Sequence, residues 1–313
     1  MADRLLTSRS KGKEYLLNLF YKPLLTLSLS LTVQSSIKYV LTQGDSLLIA
    51  TLASLADQGA YALSSNYGGL IARMLFQPVE EASRNLFAKL CTTPETTTKQ
   101  TDSKTTKDEK PQPPAQGIKD ASSTMQTILH FYGLISLLAF SLGPTIAPLL
   151  LSLVAGKTWT STGAGDVLGA YTYYIPLLAI NGVTEAFVAA VATNKELYVQ
   201  SVWMGFFFAG FAGSAYLFVR VLEMGARGLV WANCVNMALR VVFNISFVRR
   251  FFGRNAVEFD LMGALPSAGS VAVAAVVPVF ANTAKSFGSK LGYGVVGELA
   301  ALGSVGVVLV AAM

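Results

Sequence analysis

Eight stretches of this sequence are apolar for about the 20 residues that a helix needs to cross the hydrocarbon of a bilayer, and several carry an ionisable residue in mid-run. In hydrocarbon every backbone N–H and C=O must find its partner within the protein, which helices achieve segment by segment. The composition agrees: 52% of the 313 residues are hydrophobic and 13% charged, about half the charge of a soluble domain. The expected fold is therefore all-α, a polytopic membrane protein of about eight transmembrane helices. The 27 glycines suit helices that pack closely in lipid.

Residues 1–22 carry Arg4, Arg9, Lys11, Lys13 and Lys22 without an apolar core of signal-peptide type, and read as a basic cytosolic arm. Residues 23–90 hold the first two spans. The first, Leu24–Leu55, is interrupted by Lys38 and Asp45, which lie two turns apart on one face. The second, Tyr61–Phe76, runs past Pro78 into an amphipathic tail ending near Leu90. In it Asn66, Arg73, Glu80 and Arg84 are spaced 7, 7 and 4, which predicts a single polar face, with Glu81 beside it and an i,i+4 pairing of Glu80 with Arg84. Gly68 and Gly69 permit close backbone approach.

Residues 91–124, rich in Thr, Lys and Pro, read as a disordered cytosolic loop. Residues 125–252 hold four more spans. Met125–Val154 contains Pro144 and Pro148, which predict a kink near Gly143. Val167–Ala192 contains Asn181 and a lone acid, Glu185. Leu197–Leu222 has a small-residue face of Gly205, Ala209 and Gly213. Leu229–Phe247 carries a polar stripe, Asn233, Asn236, Arg240 and Asn244. Residues 253–313 are a loop and two final spans, Ser267–Ala284 and Tyr293–Ala312, with few ionisable groups and an expected peripheral position. With Met1 cytosolic, only Lys157, Arg227, Lys285 and Lys290 fall in opposite-side loops, so both termini are expected on the cytosolic side. On that side the sequon Asn244-Ile245-Ser246 goes unused.

One histidine and two cysteines argue against a metal site, a His-based triad or a disulfide framework, and no phosphate-binding Gly-rich loop precedes a Lys. No catalytic residue, cofactor or nucleic-acid partner is expected. What remains is charge at depth: Lys38, Asp45, Arg73, Glu185 and Arg240, with Glu80, Glu81 and Arg84 near the cytosolic boundary. Charge inside a span is costly and marks function by default. Arg and Lys there suit an anionic head group such as a diphosphate, and Asn66, Asn236 and the other asparagines suit sugar hydroxyls. The plainer reading is that acids and bases neutralise one another and hold helices together.

QSSIKYVLTQGDSLL, followed by ADQGAYALSSNYGGLIARMLFQPVEEASRNLFAKL, resembles the eukaryotic Rft-type oligosaccharide translocation family. The elements GD, QGxYA, NYGxLxAR and FQPxEExSR stand in that order, and the YVQSVW and N-x-x-N-x-x-x-R stretches follow. The family is grouped with the multidrug and lipid II flippases. The resemblance implies one lobe of a MATE/lipid II flippase-like fold plus two extra helices, with the N-terminal lobe of the same protein as the missing partner. It also implies a multi-pass protein of the endoplasmic reticulum membrane. Such a protein would move dolichyl-diphosphate-linked oligosaccharide from the cytosolic to the lumenal side for protein N-glycosylation, in contact with membrane lipid. Lys38, Arg73 and Arg240 would meet the diphosphate; Asp45, Glu185 and the asparagines would meet sugars or balance charge. The alternatives are a non-transporting accessory protein of that pathway, and an ion-coupled exporter with Asp45 or Glu185 as the ion carrier.

Overall fold

The computed structural model describes residues 47–91, 114–156, 162–290 and 294–312, with scattered positions between 15 and 32. It divides into two units, 1–48 and 49–313. In the first, Tyr15–Leu16 pairs antiparallel with Phe20–Tyr21; most of the first expected span, including Lys38 and Asp45, lies outside the described residues.

The second unit is helical. Ser54 caps α1 (Leu55–Ile71), its hydroxyl oxygen accepting the Asp57 N–H at 3.2 Å. The helix continues through a π turn, Ala72–Phe76, into α2 (Gln77–Cys91). The widening has a cause in the sequence: Pro78 has no N–H to give the carbonyl four residues back, and its ring crowds that carbonyl. In the wide turn the Gln77 N–H reaches Ala72 O instead. There follow α3 (Pro114–Val154), α4 (Ala164–Tyr171), α5 (Tyr174–Val191) and α6 (Asn194–Tyr216), the last ending in a second π turn, Leu217–Val221. Then come α7 (Gly225–Arg254), α8 (Ala268–Lys290) and α9 (Gly294–Ala312).

Among the described residues six helices are long and apolar enough to cross a membrane: Gln116–Val154, Ala164–Val191, Asn194–Val221, Gly225–Arg254, Ala268–Lys290 and Gly294–Ala312. They correspond to the third to eighth expected spans. The second expected span forms a helix but is not among the six; Ser64, Ser65, Asn66 and Arg73 dilute its apolar content. The third begins earlier than expected. The helix reaches back to Pro114, in the stretch expected to lack order, with a proline at its first position, where its missing N–H costs nothing. A Gln116–Asp120 side-chain bond of 3.0 Å, one turn apart, supports that start.

The main core lies between α2, α3, α5 and α7, around the fully buried Phe87, Met125, Tyr132, Val183, Phe187 and Phe252. Phe187 sits at its centre, 5.1 Å from the Phe87 ring and 5.2 Å from that of Phe252. Glycine sets two close approaches. Gly68 leaves room for the Tyr171 ring. Gly169 lets α4 meet the Pro144 carbonyl, which Pro148 has left without its helical donor. A second cluster joins α8 and α9 to Leu142 and Leu149 of α3. The face expected to pack through Gly205 and Gly213 is open among the described residues; it is Gly210 that meets a neighbour, Leu239. Gly69 likewise faces open space.

Candidate functional site

Asn181 and Glu185 lie one turn apart on α5, and Arg240 and Asn244 one turn apart on α7. Three side-chain hydrogen bonds, with one turn of α7 between Arg240 and Asn244 as the remaining side, link the four into a ring. Asn181 Nδ2 donates to Glu185 Oε2 at 2.9 Å, and Arg240 Nη2 donates to the same oxygen at 2.8 Å. Asn244 Nδ2 donates back to Asn181 Oδ1 at 3.1 Å. The asparagines are 6% and 2% exposed, while the charged side chains are 31% (Glu185) and 28% (Arg240) exposed. The ring is thus buried at its amides and open at its charges. Asn244, the sequon asparagine, is committed to it.

Higher on the same stripe Asn233 Nδ2 donates to the Tyr61 hydroxyl of α1 at 3.0 Å and to Leu229 O at 3.0 Å. Asn236 lies between the two groups, with a buried Oδ1 that accepts no hydrogen bond among the described residues. The polar stripe read from the sequence is therefore real and has separate partners along its length.

Glu80 approaches the ring from α2. Its carboxylate occupies the space that a Cβ at Gly182 would fill, on the α5 turn between Asn181 and Glu185. Burial, and then the Glu185 charge, push its carboxyl above the ordinary value, against the opposing pull of Arg84. The single face expected for Asn66, Arg73, Glu80 and Arg84 does not form. Asn66, Arg73 and Arg84 are exposed and Glu80 is not. The π turn explains this. Before it the buried positions are Ala60, Ser64 and Gly68; from its last residue onward they are Phe76, Ser83 and Phe87. Each residue of a π turn advances less than the roughly 100° of an α-helix, so the extra residue re-phases everything beyond it. Glu80 joins the Phe76–Ser83–Phe87 side.

Glu81 is exposed and accepts from Gln77 Nε2 at 3.3 Å. Glu80 and Arg84 make no ion pair: among the described residues the ion pairs are Arg240–Glu185 and Arg254–Glu196, the latter 2.9 Å. The second ties the α5–α6 turn, closed by a Thr193–Glu196 capping box, to the end of α7. At the opposite end of α7, Asp57 Oδ1 accepts the Ala226 N–H at 2.9 Å. One carboxylate thus belongs to the first turn of α1 and caps the start of the helix that bears the polar stripe. An apolar groove of about 560 Å³ runs between α3, α9 and the π turn, lined by Leu75, Phe76, Leu142, Ile146 and Leu302 among others.

Of the expected site residues the structure joins Glu80, Glu185 and Arg240, sets Asn236 beside them on α7, and keeps Asn66, Arg73, Glu81 and Arg84 on exposed surface. Sequence reasoning named Asn181 within its span without pairing it to Glu185, and left out Tyr61, Tyr132 and Asp57. The i,i+4 spacing of Asn181 and Glu185 is a local signal for the first. The partners of the others lie on distant helices and leave no trace in local spacing.

The model of the Rft protein family matches residues 3–312 of this chain. The chain is 34% identical over 244 residues to the Man(5)GlcNAc(2)-PP-dolichol translocation protein RFT1 of Yarrowia lipolytica, covering 76% of this chain and 34% of that protein. The protein of the same name from Saccharomyces cerevisiae is 32% identical over 218 residues, 70% of this chain and 35% of its own length. That of Xenopus tropicalis is 32% identical over 247 residues, 78% and 42%. The chain spans about a third to two fifths of the curated relatives it matches. No solved structure matches it.

Proposed function

The chain belongs to the Rft protein family, and from that membership we propose that it forms part of a translocator that carries a dolichyl-diphosphate-linked oligosaccharide across the endoplasmic reticulum membrane for protein N-glycosylation. The observation that carries the reading is the Asn181–Glu185–Arg240–Asn244 ring, polar and charged between helices that are otherwise apolar. A head group of sugars and phosphates crosses hydrocarbon only where such groups replace its water. Arg240 meets the diphosphate, exchanging Glu185 for a stronger bidentate anion. Arg73, exposed on the π turn, acts on the same charge. Asn236, whose carbonyl oxygen has no donor among the described residues, accepts from a sugar hydroxyl. The apolar groove beside the π turn offers the polyprenyl chain a protein surface. The distribution of Lys and Arg supports cytosolic termini.

Transport by flippases of the kind this family resembles requires two lobes that open alternately. The test is reconstitution in vesicles with labelled lipid-linked oligosaccharide. The chain is added alone, and with the part of the Saccharomyces cerevisiae relative that lies outside the match. Faster transbilayer movement with both parts present, lost in Arg240→Ala, is the expected result. Binding without acceleration in every combination sinks the transport reading in favour of an accessory role in the same pathway.

A further inference from the structure

Beyond Arg240 the helix α7 carries a second group of cations, and it faces the other way. Arg249 lies nine residues past Arg240, two and a half turns, and so on the opposite side of the helix. Arg249 and Arg250 are exposed. Neither makes an ion pair: among the described residues those are Arg240–Glu185 and Arg254–Glu196. The Arg254 bond brings the α5–α6 turn alongside, with exposed Lys195 next to Glu196. The Glu196 carboxylate is taken up by Thr193 and Arg254, so the group keeps a surplus of positive charge. The next acids along the chain, Glu258 and Asp260, belong to a stretch whose carbonyls are fastened to α3 by Ser122 and Gln126. Toward the middle of the span the same side of α7 is apolar. Val235, Leu239, Val242, Ser246, Arg249 and Gly253 follow at intervals of 4, 3, 4, 3 and 4 residues, which is one stripe. Val242 is 65% exposed and Leu239 40%. Arg249 stands about 10 Å along the axis from Val242. At Gly253 the stripe ends in open space beside the arginines.

We propose that this end of α7 binds an acidic phospholipid, with Arg249 and Arg250 as donors to its phosphate, Arg254 and Lys195 adding charge, and its acyl chains along Val235, Leu239 and Val242. Guanidinium groups are strong donors to phosphate oxygens, and long cationic side chains at a helix end reach the head-group layer. The head group is acidic rather than zwitterionic because the surplus of cations repels a choline or ethanolamine ammonium. This end is also the one expected in the cytosolic leaflet, where acidic phospholipids gather. A soluble anion gains nothing from the apolar stripe. The site lies on the other side of α7 from the Asn181–Glu185–Arg240–Asn244 ring and does not rest on the translocation reading.

The test is native mass spectrometry of the purified chain in detergent, titrated with phosphatidylserine or with phosphatidylcholine of the same acyl chains. The expected result is tighter retention of phosphatidylserine, weakened about tenfold or more in Arg249→Gln/Arg250→Gln. Both arginines are exposed, so that variant is expected to unfold at the temperature of the parent. Lys285→Gln/Lys290→Gln removes the same charge from the last turns of α8 and is expected to leave the retention unchanged. Equal retention of the two lipids, or full retention of phosphatidylserine in the arginine variant, overturns the site. An equal loss in the two variants also overturns it, as an effect of net charge alone. Displacement of phosphatidylserine by inorganic phosphate overturns the lipid assignment. Tighter binding of a polyprenyl phosphate, lost in the same arginine variant, gives these cations to a different lipid and overturns it too. None of these readouts uses transport, so they stand or fall apart from the proposed function.

Discussion

Removing the Arg240 guanidinium leaves Glu185 partly buried with Asn181 as its side-chain donor. Breaking one partner out of such a pair costs more than the intact pair contributes, because the surviving charge is stranded. With both side chains about a third exposed, Arg240→Ala is expected to lower stability by about 1–3 kcal/mol. Thermal unfolding in detergent measures it, and a loss too small to detect would mean that surroundings already solvate Glu185. The buried amides behave differently. Asn244→Leu removes the donor to Asn181 Oδ1 and is expected to cost about 1–2 kcal/mol. The double variant Asn181→Leu/Asn244→Leu strands neither amide, so its cost is expected to fall short of the two single losses added. Strict additivity would show that the amides act independently. At this scale the sequence was half legible. The 3, 4, 4 spacing of Asn233, Asn236, Arg240 and Asn244 placed them on one face of α7, but which acid Arg240 would find is decided by how α5 lies against α7.

Two elements owe their placement to single positions. Gly182→Ala puts a methyl group where the Glu80 carboxylate lies, so α2 and α5 must part or Glu80 must turn out. The expected cost is about 1–3 kcal/mol, as for other overpacked contacts. Adding Glu80→Ala should recover most of it in the same unfolding experiment; no recovery would place the clash elsewhere. Asp57 serves α1 and α7 at once. Asp57→Ala should cost about 1 kcal/mol and speed amide hydrogen exchange at Ala226, whereas Asp57→Asn keeps an acceptor and most of the protection. Equal protection in all three proteins would deny the cap. Helix existence was readable from hydropathy for the six apolar spans, because length and composition decide it. The start of α3 was not, since a Thr- and Lys-rich tract gives no apolar signal where local i,i+4 bonds hold the first turns. The face of Asn66, Arg73, Glu80 and Arg84 was misread for one reason: spacing by sevens assumes an unbroken α-helix, and Pro78 follows a π turn. Nor does any local pattern join Asp57 to Ala226, 169 residues on.

For the whole molecule the first quantity to fix is orientation, and Cys91 at the end of α2 offers a handle. With Cys234→Ser as background, a membrane-impermeant maleimide should label Cys91 from the cytosolic face of sealed vesicles; labelling only after permeabilisation would invert the topology. Burial pushes the Cys91 thiol up to about 11. Labelling is therefore expected to be slow at neutral pH and to rise roughly tenfold per pH unit below that value, following the thiolate. Two features then recur at distant points of the fold. Both π turns, Ala72–Phe76 and Leu217–Val221, contain an arginine, Arg73 in one and Arg220 in the other, and Arg220 reaches Thr51 O at 3.5 Å. A wide turn is one surplus residue lodged in a regular helix, much as an extra half-plane of atoms lodges in a crystal. Such a dislocation turns the side chains beyond it around the barrel and leaves the rods on either side straight, and Pro78 pins it here. The compass bearing of Arg73 relative to Glu80 is therefore set by where the surplus residue rests.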